Sequence, residues 1–486
     1  MKKLWSPRRR AETWRQLWYW LAEAQHELGL KKVTDEALSQ MASNLELKDE
    51  EFAVIANEER RRKHDVSAHL FAYGLRAPSA EGIIHWGATS CYVTDNADLI
   101  LLRDGLGMLL PALAGVIQKL TTFARQWKDQ PCLSYTHGQS ASPTTVGRRA
   151  CVWIQDLLMD LRNIEHEKSG LRFRGVKGAT GTQGTFLKQF GGDHDKVEKL
   201  DELVTKKAGF DSAFTICTQT YTRKIDVDVI SALSSFGATC QRIAGDVRHL
   251  AMFKEMEEPF GADQIGSPAM AYKRNPMLAE RCTSLGRKLM NLVMDALSTY
   301  SAQWFERTLD DSAIRRISIP EAFLTAEAGL RILDTLCSDF CVYPAVINRR
   351  LAEEMPFLAT SVLLLLPYPA LSKIELKRIS ENIITALVNK GISRNAAHEE
   401  IRVLSQQASQ AYKLHGLPND LFERLRNTKF FEPIHDQLDD LLDPEAYIGR
   451  SPQQVEKFTG PGGEVEKALE KYQGALKERG KVDLKV

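Results

Sequence analysis

The sequence predicts an all-α protein built around a bundle of long helices, with smaller helical segments before and after it. Three observations predict this. Apolar residues recur at helical spacing over stretches longer than the globular average, sustained strand-like alternation is scarce, and glycine and polar residues gather in connectors between the stretches.

Taken in order, Trp14, Leu17, Trp18, Leu21, Ala24 and Leu28 recur at spacings of three and four, which places them on one face of a helix that packs rather than reacts. Longer periodic stretches follow at 97–128, 144–168, 226–256 and 277–304, the second carrying Val146, Ala150, Trp153, Leu157, Leu161 and Ile164 on one stripe. Apart from Pro111 these stretches lack proline. Helices of this length need a partner along their whole apolar side, and a bundle supplies it. The connectors His85–Asn96, Ser134–Thr145, Gly170–Gly192 and Pro259–Pro276 are polar or Gly-rich. Loops held by rigid elements are where reacting groups can converge. The stretch Ser361–Ser380 mixes an apolar run, two prolines and a basic segment, and the tail from Pro452 holds Gly460, Gly462 and Gly463 before an alternating-charge helix that suits a solvated surface. Three segments follow: an N-terminal helical domain over 1–89, a long-helix domain over 90–342, and a C-terminal helical domain over 343–486 with an apparent insert at 361–380.

With 486 residues, 43% of them hydrophobic, the chain can bury a sizeable core. Its 64 Lys and Arg nearly cancel 63 Asp and Glu, so no global field recruits nucleic acid or an anionic membrane, and anion binding must be local. The eight cysteines form no CxxC and no spaced pair of pairs, which indicates neither a zinc site nor a disulfide framework but reduced thiols in the cytoplasm. Met1–Arg10 is basic without an apolar core and Glu12 soon follows, which argues against a secretory signal. The longest wholly apolar run, Val362–Leu366, cannot span a bilayer, so no membrane partner is expected.

The most informative segment is Ile265-Gly-Ser-Pro-Ala-Met-Ala-Tyr-Lys-Arg-Asn-Pro276, a small-residue loop with a cation and an amide that runs directly into helix-forming sequence. Such a loop can close over an anionic substrate, with Lys273 supplying positive charge where a carbanion-like intermediate develops near Ser267. An ordinary polar loop capping a helix accounts for the spacing equally well. Glycines 175, 178, 181 and 184 recur every three residues but lack the order of a Walker loop and the strand context of a dinucleotide fingerprint, so neither ATP nor NAD is implied.

The loop resembles the fumarase/aspartase superfamily signature GSSxMPxKxNP, and its continuation KRNPMLAER over 273–281 is similar to the adenylosuccinate lyase branch. The resemblance extends to His64-Asp65, Gly82–Asn96, Thr136-His137, Arg174–Gln183, Gln219-Thr-Tyr221 and Trp304–Ala313, over roughly nine-tenths of the chain. It implies β-elimination of fumarate from a succinylated nucleotide, a small-molecule substrate, and no metal or organic cofactor. It also implies a homotetramer whose active sites are shared between subunits. Elimination requires a base, an acid and fixed positive charge. By resemblance Ser267 is the base and His137 the acid, with Lys273, His64 and Glu280 completing the catalytic set and Glu280 orienting a histidine. Asp65, His85, Thr89, Ser90, Thr136, Gln219, Asn275, Arg281, Arg307, Ser312 and Arg316 match substrate contacts, the arginines suiting a dianionic phosphate. The glycine run matches a flexible active-site segment.

The chain departs from the family pattern at Pro268, which stands where a second serine is usual and removes a backbone N–H. Ser140, Ser142, Pro143 and Thr218 depart as well, and Met1–Arg10 stands where a Ser-Arg-Tyr motif is expected. These departures keep open a second reading, a catalytically weak paralog that acts as a subunit or scaffold.

Overall fold

The computed structural model describes residues 1–261, 264–267, 269–359, 383–440 and 443–478. Pro268 and the apparent insert at 361–380 lie outside the described residues. Packing divides the chain into two compact units assembled from interleaved segments, a division that does not follow the linear order of the three segments read from the sequence.

Unit 1 comprises Met1–Ala114, Met159–Arg242 and Arg281–Leu333. It opens with α1 (Pro7–Glu27), α2 (Asp35–Ala42), α3 (Asp49–Arg62) and α4 (Asp65–Arg76). Helix α1 starts where its sequence says it should: Pro7 occupies the first turn, and the Ser6 hydroxyl accepts the Arg9 N–H. Its face of Trp14, Leu17, Trp18, Leu21 and Ala24 is buried as the spacing predicts. The long helix α5 (Ser90–Gln126) carries Pro111 in its interior. It has an 18-residue window of mean hydropathy 1.7, and 67% of that window is buried inside the protein, where its apolar character serves packing.

Two strands follow, β1 (Pro131–Thr136) and β2 (Gln139–Thr145), then α6 (Val146–Gly170), α7 (Gly184–Gln189), α8 (His194–Lys207) and α9 (Lys224–Met252). After them come β3 (Met256–Glu257), α10 (Met277–Ser301), α11 (Asp311–Leu336), β4 (Cys341–Val342) and α12 (Pro344–Leu358). Within unit 1, α9 and α10 cross backbone to backbone. A Cβ on Gly237 would stand 2.9 Å from the Gly286 carbonyl oxygen, and one on Gly286 would stand 2.4 Å from that of Gly237. Only glycine permits so close an approach at both positions.

Unit 2 comprises Gly115–Leu158, Ile243–Glu280 and the chain from Asp334 on. Phe123 and Trp153 pack on Phe340, and the Trp153 indole donates to Asp246 at 2.7 Å. A second core lies among α13 (Ile383–Asn389), α14 (Arg394–His415), α15 (Leu421–Asn427) and the turns after them, where Ile383, Leu387, Ile401, Leu421, Leu425, Phe431 and Ile434 are buried together. The tail is less solvated than its charge pattern predicts, since Val455, Val465 and Leu469 are buried.

One expected connector is corrected. Ser134–Thr145 is not an irregular loop: β1 and β2 pair antiparallel, Thr136 opposite Gln139, around a two-residue turn. The turn residues His137 and Gly138 both have positive φ, 53° and 72°, the conformation whose twist matches a tight hairpin.

Candidate active site

Four helix starts line one cleft in unit 1. Trp5 and Arg10 come from the beginning of α1, His64 and Asp65 from α4, Ser90 and Cys91 from α5, and Asp311, Ser312, Arg315 and Arg316 from α11. Each helix start carries backbone N–H groups without intrahelical partners and a partial positive charge, so their convergence favours an anion. The cleft measures about 130 Å³. That is below the roughly 300 Å³ at the lower end for pockets that engulf a whole small-molecule ligand. It suits one anionic group rather than a complete nucleotide.

Its upper groups are oriented by local hydrogen bonds. His64 caps α4, its Nδ1 accepting the Ser67 N–H at 3.3 Å, which leaves the ring proton on Nε2, 3.3 Å from the Ser90 hydroxyl. Burial pushes the Asp65 carboxyl up, but the Arg316 guanidinium at 2.7 Å and the Val66 N–H outweigh it and hold Asp65 below the usual carboxylate range. Beneath them lies a buried ion network. Arg223 binds Asp95 at 2.9 Å and Asp311 at 2.7 Å, and Arg307 binds Asp311 at 2.7 Å. Arg315 binds Asp226 at 2.6 Å and Asp98 at 3.1 Å, with the Tyr221 hydroxyl donating to Asp226 at 2.6 Å. Burial pushes the Asp98 carboxyl up against the pull of Arg315 and Arg10.

The structure therefore brings His64, Asp65, Ser90, Arg307, Ser312 and Arg316 together. It leaves His85, Thr89 and Gln219 outside the cleft lining. The His85 Nδ1 accepts the Trp18 indole N–H at 2.8 Å, and burial pushes its pKa down to about 4, so the ring is neutral near pH 7 with its proton on Nε2. Thr89 gives its carbonyl to the Tyr92 N–H at the start of α5. The Gln219 side chain donates to the Ala179 carbonyl at 2.9 Å and accepts from the Cys91 thiol. It is thus tied to the glycine run, whose first part, Gly175–Gly178, is held by hydrogen bonds. The buried Arg174 guanidinium donates to the carbonyls of Gln219, Gly175 and Gly178, and Asp201 accepts from the Val176 N–H and the Lys177 ammonium. Arg281 belongs to this unit and is exposed on α10.

Unit 2 carries the reactive candidates on turns. His137 stands exposed at the hairpin tip beside Thr136. What holds the hairpin is an anchor one pleat below the tip. The Tyr135 ring stacks on Phe253, and its hydroxyl accepts from Arg350 at 3.0 Å. Arg350 also donates to the buried Glu255 at 2.8 Å, and Ser134 donates to the Ser142 carbonyl across the strands. The departures at Ser140, Ser142 and Pro143 thus fall within a paired and anchored strand.

The signature loop closes on itself. Asn275 donates to the Gly266 carbonyl at 2.8 Å, and a Cβ on Gly266 would meet the Lys273 carbonyl oxygen at 1.9 Å, so only glycine fits the neck of the loop. Inside it, the Ser267 hydroxyl oxygen accepts backbone N–H groups from Ala269 at 3.4 Å and Met270 at 3.3 Å. Donors aimed at that oxygen favour its anionic form. Lys273 is exposed, and Glu280 is exposed in the first turn of α10. Glu280 orients no histidine among the described residues. The acid at the start of that helix is instead Glu258, whose carboxylate accepts the Leu278 and Ala279 N–H groups at 3.0 Å.

Sequence reasoning passed over Arg10, Asp95, Asp98, Arg223, Asp226 and Arg315. Two helical spacings signalled part of this set: Asp95 and Asp98 lie three apart, and Asp311 and Arg315 four apart, each pair on one helix face.

A long-helix fold that presents an anion cleft in one unit and a serine loop and a histidine hairpin in the other has the parts of a lyase. Residues 4–290 match the lyase family model, and residues 378–458 match the model of the adenylosuccinate lyase C-terminus. Among solved structures, the fold is shared with a fumarate lyase from Mesorhizobium sp. BNC1, at a TM-score of 0.76 and 20% identity over 94% of this chain and 96% of that one. It is shared equally with the 3-carboxy-cis,cis-muconate lactonizing enzyme of Pseudomonas putida, at a TM-score of 0.76 and 19% identity over 98% and 97%. At the level of sequence, the adenylosuccinate lyase of Schizosaccharomyces pombe is 50% identical over 100% of this chain and 96% of its own length. That of Saccharomyces cerevisiae is 52% identical over 98% and 95%. The chain belongs to the adenylosuccinate lyase family of the fumarase/aspartase superfamily.

Proposed function

We propose that this protein releases fumarate from adenylosuccinate to give AMP, and from succinyl-aminoimidazole-carboxamide ribotide in the same manner, as a step of purine biosynthesis. The observation that carries the reading is identity of 50% along the whole chain to an adenylosuccinate lyase. Nothing among the relatives favours the subunit or scaffold alternative.

In this reading a base removes the proton beside one carboxylate of the succinyl group. The electron pair becomes the fumarate double bond as the carbon–nitrogen bond breaks, and an acid returns a proton to the leaving nitrogen. Ser267 serves as base, its anionic form favoured by the Ala269 and Met270 N–H groups. His137 serves as acid, and Lys273 stabilises the charge that builds on the carboxylate. His64 and Glu280 complete the catalytic set. Arg307, Ser312 and Arg316 hold the phosphate with Arg281, while Asp65, His85, Thr89, Ser90, Thr136, Gln219 and Asn275 contact the rest of the substrate.

A homotetramer with shared active sites belongs to the same proposal. Met294, Leu297 and Tyr300 on α10 and Ile317 and Leu324 on α11 are exposed apolar side chains on long helices, which supports burial against further copies. A cytoplasmic location is supported by the cysteines, which form no disulfide among the described residues.

The test is fumarate production from adenylosuccinate by the purified protein, with His137→Ala alongside and the mass of the assembly measured on the same sample. We expect turnover in the wild type that falls by about 100-fold or more in the variant. A folded tetramer without turnover would overturn the reading.

A further inference from the structure

The cleft of unit 1 holds more acid than an anion site should. Arg223 is matched by Asp95 and Asp311, Arg307 by Asp311, Arg315 by Asp226 and Asp98, and Arg316 by Asp65. Four of its guanidinium groups therefore face a carboxylate already, and a phosphate dianion placed there gains little net attraction from them.

Arg10 differs. It lies four residues into α1 and lines the same cleft, yet among the described residues its guanidinium forms no ion pair and no hydrogen bond. Its neighbours do: Arg8 pairs with Asp49, and Arg9 with Asp104. Arg10 pulls down the carboxyl of part-buried Asp98, which burial pushes up. The same short segment supplies spare donors. Trp5 and Trp14 also line the cleft, and the indole N–H of each is buried without an acceptor. The first turn of α1 contains no acidic residue, so nothing there competes for an anion.

We propose that Arg10 supplies the substrate phosphate with a guanidinium that no carboxylate engages in an ion pair among the described residues. The proposal rests on the lyase reading above, and it makes Arg10 a specificity determinant for phosphorylated over unphosphorylated substrate. Arg307, Arg315 and Arg316, already paired, shape the cleft and orient the anion. Arg10 provides most of the net attraction.

The experiment compares Arg10→Gln and Arg10→Lys with the wild type on adenylosuccinate and on its nucleoside lacking the phosphate. Arg10→Gln should raise KM for the nucleotide by about 10- to 100-fold, as expected for loss of a charge-assisted contact, with kcat little changed. Its kcat/KM for the nucleoside should match the wild type, and Arg10→Lys should recover part of the nucleotide KM. An equal loss on both substrates, or an unchanged nucleotide KM, would overturn the assignment. A wild type that releases no fumarate from either compound would overturn the lyase reading instead. Thermal unfolding in inorganic phosphate then decides Arg10 separately: saturable stabilisation that Arg10→Gln lacks supports the site, and identical curves refute it.

Discussion

The anion cleft of unit 1 and the loop-and-hairpin pair of unit 2 are built on opposite principles. The cleft groups sit in the first turns of long helices, and buried ion pairs between distant segments fix them. Arg223 alone joins Asp95, Asp311 and the Tyr221 ring. The reactive candidates sit on turns: His137 on a two-residue hairpin, Ser267 inside a loop closed at its neck by Gly266 and Asn275. A group that recognises a fixed anion gains from rigidity, because ordering costs fall when the site is preformed. A group that must meet a proton in a transition state gains from adjustment as the loop closes. The contrast assigns stability to one region and rate to the other, and substitutions can break that assignment.

The largest effect is expected in the cleft. Asp95→Ala leaves Arg223 buried with half its counter-charge, and we expect a loss of about 3–5 kcal/mol in unfolding free energy, measured by denaturant titration. A loss below about 1 kcal/mol would show that the network is not what holds the helix starts together. Next in size is the neck of the signature loop. Gly266→Ala drives a methyl group into the Lys273 carbonyl, and kcat should fall by about 100-fold while the unfolding midpoint stays within error. A matching loss of stability would erase the distinction between the two regions.

The smallest effect is a pH dependence carried by two part-buried histidines of unit 1. Burial pushes His85 and His69 down to about 4 each, so the folded state takes up these protons less readily than the unfolded chain does. The resulting stability is present above the unfolded value of about 6.5 and is lost as pH falls from there toward the folded values. His85→Asn keeps a side chain compatible with its positive φ of 68°. It should flatten the decline in unfolding free energy between about pH 6.5 and 4 by about 1–2 kcal/mol, measured by denaturant titration at each pH, and an unchanged slope would refute the assignment of the proton to this ring.

The legibility of these regions in the sequence also differs, for physical reasons. Helix stripes are local, so Val146, Ala150, Trp153, Leu157, Leu161 and Ile164 announced a buried face, and all six are buried. The ion network is not local: Arg223 and Asp95 stand 128 residues apart, and no spacing rule connects them. The hairpin was hidden by composition, since its strands hold Ser134, Ser140, Ser142 and Pro143 where β-branched or aromatic residues usually mark a strand, and its turn reads His-Gly rather than Asn-Gly. The family resemblance located His64, Asp65, Ser90, Arg307, Ser312 and Arg316, which the structure gathers in one cleft. It gave no hint of Arg10.

The left-handed backbone of His137 carries one more consequence. An imidazole at φ 53° occupies a position where glycine would rest more comfortably, by about 1 kcal/mol. His137→Gly would therefore relax the turn while removing the imidazole, so backbone and side chain make opposite demands at this one position.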